Sequence, residues 1–130
     1  MLDHIGLSVA DFDASLAFYE AALRPLELSV QMRVTSEETG GAYEGAGFGA
    51  AGKPEFWIGR SAAPLSGPMH VAFTAGDRAS VDAFYAAAMA AGGRDNGGPG
   101  LRPDYHPDYY AAFVFAPDGA NVEAVCHKPG

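Results

Sequence analysis

Cysteine is nearly absent. The single thiol, Cys126, can close no disulfide within the chain, so packing rather than cross-linking has to hold the fold. Positive charge is scarce as well: 8 Lys and Arg stand against 16 Asp and Glu, a formal net charge of -8. Such a surface repels a phosphate backbone, which removes nucleic acid from the expected partners. No apolar run reaches the roughly 18 to 20 residues that span a bilayer. The first residues, MLDHIGL, lack the basic and apolar regions of a secretory leader, so the expected location is the cytoplasm, with no membrane partner.

What remains is rich in packing material. Of 130 residues, 48% are hydrophobic and only 18% charged, the balance of a chain that folds into one ordinary domain. Within it a phrase recurs. HIGLSVADFDASLAFY begins at His4 and HVAFTAGDRASVDAFY begins 66 residues later at His70, with His, Asp, Ala, Phe and Tyr in the same places. A chain too short for two independent domains has to fold both copies into one structure, so the repeat divides it into modules of about 1–61 and 69–130. AAPLSGP, 62–68, is the linker, because Pro, Gly and Ser interrupt both periodicities.

Each copy opens with a β-rich run and reaches an Asp, Asp11 or Asp77, placed to cap a helix. Leu16, Tyr19 and Leu23 in one helix, and Val81, Phe84, Tyr85, Ala88 and Met89 in the other, recur at helical spacing. Arg24-Pro25 stops the first helix and Gly92-Gly93 the second. Strands are expected at 28–34, 42–48 and 55–58 in the first copy. In the second they are expected near 94–96, in YYAAFVFA and in ANVEAV, with the long loop GGPGLRPDYHP between the first two. Both copies therefore read strand, helix, three strands: an α+β fold of two βαβββ modules pairing into a curved mixed sheet.

The duplicated histidine needs a reason. The offset of 66 makes His4 and His70 equivalent on their first strands and carries Trp57 onto Glu123 in the last strand. If the copies pack about a pseudo-twofold axis, His4, His70 and Glu123 can face one cleft. Two imidazoles and a carboxylate form a facial set for a divalent ion such as Fe, Mn, Ni or Zn, with positions left open for water and substrate. Singly, each is an ordinary structural residue; together, an acid within NVEAV and two equivalent histidines are costly to bury without a partner.

The loop GLRPDYHPDYYAAF, 100–113, supplies candidates for substrate contact: Arg102 for an anionic group, Tyr105, Tyr109 and Tyr110 for oxygens, and His106 for proton transfer. The competing reading makes Tyr109 and Tyr110 strand aromatics facing opposite sides and His106 an exposed loop residue. Trp57 and Phe56 fit either a substrate wall or the core, while Cys126 reads as core and His127 as surface.

The paired modules, the early His in each, AFY in each helix and the terminal FAPDGANVEAV resemble the vicinal oxygen chelate superfamily, the glyoxalase, fosfomycin-resistance and extradiol dioxygenase group, over nearly the whole chain. The resemblance implies two half-barrels enclosing a metal that binds adjacent oxygens of a small molecule and stabilises charge developing there. It places His4, His70 and Glu123 on the ligand positions; the catalytic candidates, Tyr105 and His106, come from the loop itself. The glyoxalase pattern has a fourth carboxylate where this chain has Trp57; Glu55, two residues earlier on the same strand face, is the outside candidate. The expected activity is isomerisation, group transfer or ring cleavage in a homodimer, the alternative being a metal-free small-molecule or drug binder on the same scaffold.

Overall fold

The computed structural model describes residues 1–64 and 66–130. The first module runs β1 (Ile5–Val9), α1 (Phe12–Leu23), β2 (Ser29–Val34), β3 (Gly45–Ala50) and β4 (Lys53–Arg60). The second runs β5 (His70–Thr74), α2 (Arg78–Ala90), β6 (Arg94–Asp95), β7 (Gly100–Leu101), β8 (Tyr110–Phe115) and β9 (Asn121–Cys126). Both helices begin at the expected caps, where Asp11 accepts from the Ala14 N–H at 3.1 Å and Asp77 from the Ser80 N–H at 2.7 Å. Gly92 takes φ 101° just beyond α2, a left-handed turn that glycine adopts without a Cβ clash. Pro25 does not stop the chain's winding outright; α1 tightens into a 3-10 turn over Arg24–Leu26 and ends on a left-handed Glu27.

Each module builds its own mixed sheet. The first has strand order β1-β4-β3-β2, the second β5-β9-β8-β6, with β7 pairing onto β8. The short strand β7 lies inside the segment expected to be loop, because two residues there find partners on β8. In both modules the first strand lies parallel to the last, and the registers coincide: Gly6 pairs with Trp57 as Ala72 pairs with Glu123. Likewise Gly47 pairs with Trp57 as Phe113 pairs with Glu123. The 66-residue offset thus holds across the sheet as well as along the sequence.

Alternation along the strands separates two faces. Leu7 and Val9 of β1, Phe56 and Ile58 of β4, and Val122, Ala124 and Cys126 of β9 are buried with the helices. The recurrent Phe-Tyr pair explains itself here: Phe18 and Phe84 are fully enclosed, and α1 packs on α2. Each such side chain contributes about 1.5–3 kcal/mol by leaving water. Tyr19 is enclosed too, edge-on to Phe18 and Phe56, and its hydroxyl donates to Asp118 in the β8–β9 turn at 3.1 Å. Its counterpart Tyr85 lies nearer the surface and donates to Asp95.

The bond from Tyr19 to Asp118 ties one module's helix to the other's terminal hairpin. Asp118 also receives the Ala120 N–H, so it is not stranded when Tyr19 changes. Tyr19→Phe is expected to cost about 0.5–1.5 kcal/mol in denaturant unfolding, whereas Phe84→Ala is expected to cost about 3–5 kcal/mol through the cavity it leaves.

Candidate functional site

The faces turned away from the helices carry the polar chemistry. On the second module, Glu123 projects from β9 on this side yet is only 1% exposed, so its carboxylate needs partners. It has two. His70 Nε2 lies 2.8 Å from Glu123 Oε1, and the Tyr109 hydroxyl donates to Glu123 Oε2. The His70 side chain remains half exposed, beside the Phe113 ring.

A second layer surrounds Tyr109. Its ring meets His106 and His127 edge-on at 5.3 and 5.2 Å, and Tyr105 packs against it at 4.8 Å. His106 Nε2 and His127 Nδ1 are 2.7 Å apart, while His106 Nδ1 accepts the Asp108 N–H at 3.1 Å. An accepting Nδ1 assigns the neutral ring's proton to Nε2, which donates to His127. From the sequence, His127 is expected on the surface and outside the site. It is exposed, but it belongs to this cluster; lying just past a strand end, it has no periodicity that would reveal its partner.

His4 is not drawn into this set within one chain. Its Nδ1 lies 2.7 Å from Asp3, which also holds Lys53 at 3.1 Å. The bond from His4, reinforced by Lys53, keeps the Asp3 carboxyl below the usual carboxylate range. Among the described residues, no group of three or more His, Cys, Asp or Glu is arranged to hold a metal ion. His4, Glu55 and His70 do border one cavity of about 440 Å³ that reaches back to Phe48, Phe56 and Phe73. Trp57, not Glu55, occupies the structural counterpart of Glu123, as the two matching registers require.

Two of the proposed substrate contacts have other work. The Arg102 guanidinium donates to the Gly98 and Gly100 carbonyls, both at 2.8 Å, and lies over Phe113, so it braces its own loop instead of awaiting an anion. Tyr110 faces the helix side, where its hydroxyl donates to Asp82 of α2 at 2.6 Å and Arg78 lies over its ring. Tyr109, just before β8, and Tyr110, its first residue, therefore point to opposite faces. Tyr105 stays on the rim, 65% exposed.

The family profile described as Glyoxalase/Bleomycin resistance protein/Dioxygenase superfamily matches residues 1–124. The chain belongs to this superfamily. Among solved structures, a glyoxalase/bleomycin resistance protein from Albidiferax ferrireducens is 24% identical over 99% of each chain, with a TM-score of 0.73. A glyoxalase-related enzyme from Fulvimarina pelagi is 20% identical, with 97% of this chain and 87% of the other covered and a TM-score of 0.68. Glyoxalase I from Zea mays is 22% identical over 96% of this chain, which spans 45% of the maize protein, with a TM-score of 0.69. At these identities the likeness is one of fold. No curated protein matches the sequence. No helix among the described residues is long and apolar enough to cross a membrane.

Burial, and then the bond to Glu123, push the Tyr109 hydroxyl up to about 12. A group that keeps its proton longer when folded than when unfolded stabilises the fold below the unfolded value near 10, and that contribution fades as pH rises toward the folded value. Wild-type stability is expected to fall between about pH 10 and 12. Tyr109→Phe is expected to lessen that fall, to which the raised hydroxyls of Tyr19, Tyr85 and Tyr110 also contribute, and to remove one late step from the tyrosinate absorbance titration.

Proposed function

We propose that the protein is a metal-dependent enzyme of this superfamily acting on an oxygen-bearing small molecule. The observation that carries the reading is the approach of the His70 imidazole to the buried Glu123 carboxylate on the sheet face turned away from the helices. An imidazole nitrogen and a carboxylate oxygen are a donor set that suits a divalent ion such as Fe, Mn, Ni or Zn. His70 and Glu123 would hold the ion, and His4, the repeat-related counterpart of His70, would complete the set. Such an ion would supply Lewis acidity toward the substrate's oxygens.

The chain's own residues do the positioning. Tyr109 fixes one oxygen of Glu123 and leaves the other directed at His70. The hydrogen-bonded pair of His106 and His127 packs against the Tyr109 ring, so it acts on the carboxylate through Tyr109. Outer partners of this kind orient ligands and raise their affinity for metal.

The third ligand gives a reason for a homodimer. β1, which follows directly on His4, and β5, which begins with His70, each lie at the edge of their sheet. Unpaired edges invite strand pairing or coverage by another chain. A second copy covering them would let His4 of one chain serve His70 and Glu123 of the other.

Metal analysis of protein purified without chelator tests the reading. One divalent ion per His70–Glu123 site is expected, lost in His70→Ala and in His4→Ala. Mixing those two variants would rebuild some complete sites if the ligands come from different chains, so recovery of about a quarter to a half of the metal is expected after subunit exchange. Unmodified protein that takes up no metal after loading with each of the four ions would overturn the enzyme in favour of a metal-free binder, a reading to which Trp57 at the counterpart of Glu123 lends some support.

A further inference from the structure

The corresponding face of the first module holds a different device. Trp57 and Tyr43 border two adjoining grooves of about 670 and 650 Å³. Thr39 pins the backbone of Tyr43 by accepting its N–H at 2.9 Å and donating to its carbonyl at 2.7 Å. The indole lies on Gly47, where a Cβ would come within 2.7 Å of it, and the phenol lies across Gly45 and Gly59, where a Cβ would strike it.

The repeat provides an internal control. Where the second module has Ala72, Ala111, Phe113 and Val125 on this face, the register of the first gives Gly6, Gly45, Gly47 and Gly59. Glycine inside a strand weakens it and marks close approach by another group. Three of these glycines make room for the two rings, and Gly6 leaves open the strand beside Trp57. The cations along the grooves are already engaged, Arg60 with Glu44 at 3.3 Å and Lys53 with Asp3 at 3.1 Å. An ionic ligand would find no free countercharge there. A flat, neutral one finds the outer surface of the two rings, bare backbone at Gly6, and the Ser8 and Ser61 region at one end.

We propose that this face binds an uncharged planar aromatic group, stacked on Trp57 with Tyr43 beside it. The pairing exploits the indole's π-face, which favours offset or edge contact with another ring over contact with a saturated one. It names a ligand class without depending on the metal: the first module receives the ring, whatever the second module does.

The test uses metal-free protein in chelator, with 1-naphthol as the probe and its fully saturated counterpart, decahydro-1-naphthol, as the control. Titration calorimetry is expected to show saturable binding of 1-naphthol, about tenfold tighter than the saturated alcohol. Trp57 is the chain's only tryptophan, so the same binding is expected to change its emission. Trp57→Leu is expected to abolish the preference for the aromatic probe, and Gly47→Ala to weaken binding by displacing the indole. Because the protein is kept metal-free, this binding does not depend on a bound ion, which separates failure here from failure of the metal reading. Equal affinity for the two alcohols, an unchanged preference in folded Trp57→Leu, or no saturable binding by the folded protein would overturn the proposal. So would a dimer in which Trp57 is shielded from a neutral quencher both with and without probe.

Discussion

A strand in a two-layer fold can give only one of its faces to the core. Here both sheets commit that face to the helices, and the seam of Phe18, Tyr19 and Phe84 uses it up. Whatever the protein does with ligands must be done on the opposite faces, and the side chains there can be read in rows. His4, Gly6 and Ser8 form one; His70, Ala72 and Thr74 form its twin. The placement of Glu123 follows from the same alternation, since it falls between Val122 and Ala124, both turned to the core. Its burial comes from Tyr109 and His70 covering it on the open side.

The repeat made much of this legible. One offset located both capping aspartates, both enclosed phenylalanines, the equivalence of the two histidines and the alignment of Trp57 with Glu123. These are properties of backbone register, which hydrophobic periodicity and a duplicated phrase transmit directly. The superfamily is legible in the motifs too, and the family match over residues 1–124 agrees with it. Side-chain partners were less accessible. Arg102 resembled an anion receptor, but the carbonyls of Gly98 and Gly100 captured it locally. Tyr110 was separated from Tyr109 by strand parity, and which of the two faced Glu123 depended on where β8 began. The contact of His106 with His127 joins a loop to a strand end 21 residues away, and no local pattern encodes such a meeting.

The two modules have kept one backbone and exchanged their cargo. At one central pair the second module sets an acid beside a large ring, Glu123 beside Phe113; the first sets a large ring beside nothing, Trp57 beside Gly47. Total bulk is roughly conserved while polarity is segregated. The second module's face is governed by satisfied charge, the first's by aromatic surface over bare backbone. Duplication permits that division because each sheet retains its own helix and hydrogen-bond ladder, so either open face can change without unpicking the other.

The bond between Tyr19 and Asp118 spans 99 residues and has a bearing on biosynthesis. As the polypeptide leaves the ribosome, β1 can join its parallel neighbour once β4 emerges, and the first module gains its ladder. The Tyr19 hydroxyl then still faces water or a temporary acceptor until the penultimate turn has been translated. The nascent first half is therefore a scaffold with one unfinished polar contact in its helix, completed only when the second half closes over it.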